Sequence, residues 1–276
     1  MRKEPVSSTA GEQLRRSSPR VLLTGGGHGF GKACAEQVAS SGASVFITGR
    51  DGQALAETVD VIRGSGGTAD FMVADLADSS AVAEAVDKAT RLFGGIDVLV
   101  NNGATTGPIG PLWSVDDQAW WHTMEVNLRG AWSFTSKVVS GMVDQGSGRV
   151  INVVSRAGQY RWPYASAYSV SKAALISLTA NLAGELRGTG VTAIAFDPGI
   201  LDAGMTKAHF QRGHTDNPWE NRIHDWFRAA QDTGGFTEVD AAVRALEAVT
   251  SGAADHLSGK YVTTESLGAG LIPAAR

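Results

Sequence analysis

The sequence predicts an α/β fold: a single doubly wound domain whose seven-stranded, mostly parallel sheet is flanked by helices. Three observations carry this. Strand-like and helix-like segments alternate from residue 20 to about residue 262. The strand segments are continuous Val/Ile/Leu/Ala runs rather than strict alternations, the pattern of strands buried on both faces. A glycine cluster stands between the first strand and the first helix.

The elements follow in order. Arg20–Thr24 is a short apolar strand ended by Gly25-Gly26-Gly27, and the helical stretch after it runs to Ser41, where Gly42 stops it. Ser44–Thr48 is the second strand. Asp51 caps the next helix, which ends in Gly64-Ser65-Gly66-Gly67. Thr68–Ala74 is the third strand. Ser79–Phe93 is a helix with Ala81, Val82, Ala85, Val86 and Ala89 on one side. Ile96–Val100 is the fourth strand, and one long helical region covers about 116–143. Arg149–Val154, Val191–Phe196 and Lys260–Thr263 complete the strands, with a helix over Ala167–Leu186.

The chain has 276 residues, 43% hydrophobic and 19% charged, which suits one large globular domain over 20–276. Residues 1–19 mix Ser, Arg, Glu and Pro and are expected to form a disordered tail. Arg15-Arg16 is followed by too short an apolar stretch for export. The single cysteine, Cys34, excludes an internal disulfide and reads as a packing residue in a cytoplasmic protein. A net charge of −4 without a basic stripe argues against nucleic acid, and no apolar run reaches membrane-spanning length.

Thr24-Gly25-Gly26-Gly27-His28-Gly29-Phe30-Gly31 opens the first helix, a Rossmann-type arrangement. Glycines there let the backbone approach a pyrophosphate, whose charge the helix N-terminus favours. The second strand ends Thr48-Gly49-Arg50, where an acid would bind the adenosine ribose and repel a 2′-phosphate. Arg50, with His28 close by, favours NADP(H) over NAD(H); the alternative is an arginine that only faces solvent. Asp75-Leu76 is placed to meet the adenine amine, and helix capping explains Asp75 equally well.

Tyr168 and Lys172 lie four residues apart on one helical face, and Ser155 stands 13 residues upstream at a strand end. A cation lowers the pKa of a nearby phenol, so the pair marks a proton-transfer site. Alone, Tyr-x-x-x-Lys is a common coincidence.

Taken together these motifs resemble the classical short-chain dehydrogenase/reductase family over about residues 20–263. The motifs stand in the family's order: Thr24-Gly25-xxx-Gly29-x-Gly31, Asp75, Asn101-Asn102-Gly103-Ala104, Asn127, Ser155, Tyr168-xxx-Lys172 and Pro198-Gly199. The resemblance implies a ketoreductase or alcohol dehydrogenase in which Tyr168 exchanges the proton at the substrate oxygen. Lys172 lowers the Tyr168 pKa and holds the nicotinamide ribose, Ser155 orients the carbonyl, and Asn127 anchors a water. It also implies cofactor contacts from Asn102, Gly103, Ala104, Pro198 and Gly199, and a homodimer or homotetramer built on 116–143 and 167–186.

Two departures stand out. Gly103-Ala104 inverts the family's Ala-Gly, and Ala203 replaces a threonine that holds the carboxamide, leaving Thr206 as a substitute. They motivate a second reading, non-redox chemistry such as dehydration, epimerisation or cyclisation on the same groups. A third is a non-catalytic NADP(H)-binding protein, against which the complete Asn127, Ser155, Tyr168 and Lys172 set argues.

Trp113, Tyr160, Trp162 and Trp219 are candidate substrate-binding residues. Residues 200–235 form a lid in which Trp219, Ile223, Trp226 and Phe227 make an apolar face. That face packs on the body or walls a pocket for a bulky, apolar or aromatic substrate of specialised metabolism. Arg161 faces solvent or an anionic group. His209, His214 and His224 lack metal-ligand spacing, and no metal is expected. Trp120-Trp121 is a candidate interface pair.

Overall fold

The computed structural model describes residues 18–271. The expected tail therefore lies, apart from Ser18 and Pro19, outside the described residues. Seven strands form one sheet: β1 (Arg20–Thr24), β2 (Ser44–Gly49), β3 (Thr68–Val73), β4 (Val98–Asn101), β5 (Gly148–Val153), β6 (Val191–Asp197) and β7 (Tyr261–Thr263). Their order is β3-β2-β1-β4-β5-β6-β7, and every pair is parallel.

The helices are α1 (Gly29–Ser40), α2 (Gly52–Gly64), α3 (Ser79–Phe93), α4 (Asp117–Met124), α5 (Gly130–Gln145), α6 (Ser166–Glu185), α7 (Gly204–Arg212), α8 (Pro218–Asp232), α9 (Val239–Ser251) and α10 (Thr264–Leu271). Asp51, Asp78, Asp116 and Asn217 cap α2, α3, α4 and α8 through side-chain oxygens on early backbone amides.

Successive strand residues point to opposite faces, and both faces are buried. Val21, Leu23, Val45, Ile47, Val98 and Val100 join the core beneath α1, α2 and α9. Leu22, Phe46, Leu99 and Val150 join the one beneath α3 and α5. This double burial is why the strands read as unbroken apolar runs.

The chain runs outward from β1 to β3, then crosses back to β4 beside β1. The order therefore reverses between β1 and β4, and a crevice opens past their C-terminal ends.

The region read as one helix over 116–143 is divided. A π-helical turn, Glu125–Arg129, separates α4 from α5 and carries Asn127. The fourth strand begins at Val98, two residues later than the sequence suggested, and extends to Asn101. The lid comprises two helices, α7 and α8, and the expected apolar face lies on α8. Among the described residues no helix is long and apolar enough to cross a membrane.

Candidate active site

Thr24 and Asn102 tie the ends of β1 and β4 together. The Thr24 hydroxyl accepts from the Asn102 and Gly103 amides at 3.0 and 2.9 Å, and the Asn102 amide donates to the Thr24 carbonyl at 2.9 Å. Thr24 thus sits behind the glycine loop as a structural tie and does not line the cavity, contrary to the cofactor contact expected of it. A Cβ on Gly31 would collide with the Gly25 carbonyl and the Asn102 amide, so the helix can start this close to the loop only with glycine.

The crevice holds a cavity of about 740 Å³. It is lined by Gly25, Gly27, His28, Gly29, Phe30, Gly31, Arg50, Asp75, Leu76, Asn102, Gly103, Ala104, Pro198, Gly199 and Thr206, with Ser155, Tyr168 and Lys172. Every expected cofactor-binding position except Thr24 is on this wall. The sequence reading missed Asp51, Lys207 and Gln211, which also line it. His28 Nε2 lies 2.9 Å from Asp51 Oδ2, so the basic residue of the loop is tied to an acid next to Arg50.

The Gly103-Ala104 inversion has a local cause. A Cβ on Gly103 would fall 2.8 Å from Leu76 Cδ1, and one on Gly130 would fall 2.8 Å from Leu76 Cβ. Leu76 is wedged between two glycines and fills the space a methyl at 103 would take.

Asp75 accepts from the Ala77 amide at 2.9 Å, while Asp78 caps α3. Asp75 therefore makes a tight turn at the cavity rather than the helix cap.

Tyr168 and Lys172 share one face of α6, with the Lys172 Nζ 5.7 Å from the phenol ring centroid. Lys172 is 3% exposed and donates to the Val153 carbonyl at 2.8 Å. Burial pushes its ammonium down to about 8 from the ordinary 10.5, against the nearby Asp197 carboxylate. The Tyr168 phenol is pushed up to about 12, chiefly by burial; the Ser155 hydroxyl pulls it down and Asp197 adds to the rise. Lys172 is expected to lower the phenol; burial raises it instead, and the downward pull comes from the Ser155 hydroxyl.

Asn127 uses both amide protons, on the Thr105 carbonyl at 2.9 Å and the Ser171 hydroxyl at 3.0 Å, and accepts from the Thr105 amide at 2.8 Å. Its side chain fixes the loop after β4 against α6; it has no proton left to give a water.

A second cavity of about 500 Å³ adjoins the first. Ser155, Tyr168, Gly199, Met205 and Thr206 line both. Its walls are Tyr160, Trp162, Tyr164, Trp226, Phe227 and Ile109. Trp162 meets Trp226 edge-on at 4.4 Å and Phe227 at 5.9 Å. Two expected walls stand elsewhere. Trp113 is 89% exposed and outside the cavity. Trp219 stacks on the back of Tyr164 at 4.4 Å, so Tyr164 takes the position expected of it.

Asp197 also lines this cavity and was not singled out in the sequence. Its place directly before Pro198-Gly199, at the C-terminal end of a parallel strand, was the available signal. The lid histidines cluster, His209 tilted against His224 at 5.6 Å and His214 edge-on to His224 at 4.9 Å. Cys34 is buried, which raises its thiol pKa.

A family model described as short chain dehydrogenase matches residues 19–213. The chain is 34% identical over 213 residues to a short-chain type dehydrogenase/reductase of Picea abies, over 72% of this chain and 79% of that protein. It is 35% identical to the 2-dehydro-3-deoxy-L-rhamnonate dehydrogenase (NAD(+)) of a Sphingomonas species, over 66% of this chain and 72% of that one. Among solved structures, an actinorhodin polyketide ketoreductase variant with NADPH superposes with a TM-score of 0.81 at 27% identity, covering 89% of this chain and 95% of that one. Levodione reductase gives 0.81 at 26% identity, covering 90% and 96%.

Proposed function

This chain belongs to the short-chain dehydrogenase/reductase family and is an NAD(P)-dependent oxidoreductase; from that premise we propose that it moves a hydride between NADP(H) and a carbonyl or secondary alcohol. The substrate is a bulky, apolar or aromatic small molecule. The observation that carries this reading is the meeting of the two cavities at Ser155 and Tyr168. A carbonyl held in the aromatic cavity has its oxygen at these two hydroxyls and its carbon toward the larger cavity.

The larger cavity fits a nicotinamide dinucleotide: the glycine cradle leaves no room for a Cβ at Gly31, and the volume is ample. The glycine loop and the start of α1 would hold the pyrophosphate. Asp75, Leu76, Asn102, Gly103 and Ala104 would hold the adenosine, Tyr168 and Lys172 the nicotinamide ribose, and Pro198, Gly199 and Thr206 the nicotinamide. When bound, the cofactor supplies the hydride.

The chain's residues do the rest. Ser155 and Tyr168 donate to the substrate oxygen, where negative charge develops. Tyr168, a phenol at neutral pH, gives its proton there. Lys172 places a positive charge beside the phenol, and Asn127 ties Thr105 to Ser171, the residue before Lys172. Arg50 favours a 2′-phosphate, with His28 in reach from the glycine loop.

Trp121 and Trp132, on α4 and α5, are exposed, and they fit a homodimer or homotetramer formed on these helices. A spectrophotometric screen of ketones with NADPH and NADH tests the function. Consumption of NADPH with bulky aromatic or polycyclic ketones is the expected result. Turnover of a substrate with no net change in cofactor absorbance would instead mean non-redox chemistry.

A further inference from the structure

Asp197 is the last residue of β6, 2% exposed, and it lines the aromatic cavity next to Tyr168. A buried carboxylate is costly unless its oxygens are engaged. Here both are: Oδ1 accepts from the Gly199 amide at 2.9 Å, and Oδ2 accepts a short hydrogen bond from the Tyr261 hydroxyl on β7. The Gly199 bond alone would explain a turn at the strand end. It does not explain why a tyrosine from the neighbouring strand closes the second oxygen, nor why the acid borders the site.

The surrounding elements place Asp197 close to the reacting groups. Phe196 pairs in register with Val153, whose carbonyl holds the Lys172 ammonium. The charged and titratable groups that bear on it are Tyr168 and Lys172 on α6 and Tyr261 on β7; Tyr160 and Arg156 after β5 line the same cavity and bear on Tyr261. Arg156 also lies 3.8 Å from Glu265 on α10, which draws its charge outward.

We propose that Asp197 is a positioning residue for the Tyr168–Lys172 pair: clamped by Gly199 and Tyr261 at the wall of the cavity that Tyr168 lines, its carboxylate balances the buried Lys172 charge and so holds a cation beside the phenol. The proposal rests on the oxidoreductase reading for its consequence in turnover. The charge of Asp197 raises the proton affinity of Tyr168, Lys172 and Tyr261 alike. It thus opposes the desolvation that would otherwise strip Lys172 of its proton. A neutral Lys172 would present no cation to the phenol.

Asp197→Asn is near-isosteric and retains an oxygen for the Gly199 amide. Two measurements on the full chain test it. In the pH profile of ketone reduction, the alkaline limb should move down by about one pH unit, the scale of a nearby charge. In NMR of isotope-labelled lysine side chains, with the signal assigned by Lys172→Arg, the Lys172 midpoint should move down similarly. Tyr261→Phe keeps the carboxylate, so its Lys172 midpoint should stay near that of the unaltered chain. A fall in kcat with an unmoved limb and an unmoved Lys172 midpoint in Asp197→Asn would overturn the proposal, leaving a strand-end turn. The lysine titration needs no turnover. A chain that reduces no ketone therefore fails the functional reading separately.

Discussion

Gly29 of the glycine loop and Gly204 at the start of α7 meet backbone to backbone. A Cβ on Gly29 would lie 2.6 Å from the Gly204 Cα and 2.7 Å from its nitrogen. The lid is thus seated directly on the loop expected to hold the pyrophosphate. Both residues have positive φ, +52° each, but the contact is asymmetric: a Cβ on Gly204 would find only Gly29 Cα, at 3.8 Å.

That asymmetry separates two alanine variants. Gly204→Ala meets only the left-handed backbone penalty, about 1–2 kcal/mol. Gly29→Ala meets the same penalty and also displaces the lid. Gly29→Ala should therefore lower Tm further than Gly204→Ala and raise the cofactor Kd well beyond it. Fluorescence titration with NADPH, alongside thermal melts, checks this; equal cofactor affinity in the two variants would refute the seating argument.

Tyr168→Phe should lower kcat for ketone reduction by about 10²–10⁴-fold, the usual weight of a positioned proton donor. The ring remains, so the packing of α6 should hold, and the cofactor Kd should rise only by what one ribose hydrogen bond contributes, about 0.5–1.5 kcal/mol. Single-turnover kinetics with NADPH distinguish this from a binding defect. Full activity in the phenylalanine variant would remove Tyr168 from the chemistry.

Lys172 is expected to destabilise the fold it serves. Its pKa falls to about 8 from 10.5, so the folded state binds its proton less tightly than the unfolded chain. The penalty is full below pH 8, fades between 8 and 10.5 as the unfolded chain alone keeps the proton, and is gone above. Lys172→Met should gain up to about 3 kcal/mol at neutral pH, less what is lost with the bond to Val153. Urea unfolding at neutral and alkaline pH checks the sign: the gain over the unaltered chain should shrink as pH rises, while activity is lost throughout.

How far the sequence led can be judged residue by residue. Burial on both sheet faces left unbroken apolar runs, so the strands and their parallel pairing were readable from Leu22, Phe46 and Leu99 with their neighbours. Short-range spacing exposed the glycine loop and the Tyr168-xxx-Lys172 pair. The π-turn at Glu125–Arg129 was not readable, because one extra residue per turn leaves composition unchanged. Asp197 was missed because its meaning comes from Tyr261, 64 residues away. Trp113 and Trp219 were placed on the cavity because aromatic composition does not say which way a side chain points; Trp113 faces out and Trp219 backs Tyr164.

Cofactor choice turns on Arg50 and the His28–Asp51 pair. Arg50→Ala should raise KM for NADPH by about tenfold or more and leave KM for NADH nearly unchanged, since only the former carries the extra phosphate. Asp51→Asn preserves the cap on α2, because asparagine caps as well as aspartate. It also removes the negative charge bonded to His28, so it should tighten NADPH selectively. Parallel loss for both cofactors in Arg50→Ala would mean that the guanidinium serves only the fold or the solvent.

The aromatic cavity predicts a size-dependent response. Trp226 closes it from the lid by meeting Trp162 at 4.4 Å and Phe227 at 5.2 Å. An aromatic pair contributes about 0.5–1.5 kcal/mol beyond area burial, so Trp226→Ala should raise KM for a polycyclic ketone about 2–10-fold. A small cyclic ketone that cannot reach the lid should be little affected, and kcat should hold for both because Tyr168 and Ser155 are untouched. Trp113→Ala supplies the control: 89% exposed and outside the cavity, it should change neither ketone's kinetics. Equal loss on both ketones in Trp226→Ala would mean that the residue packs the lid without contacting substrate, and the large ketone would then have to bind elsewhere.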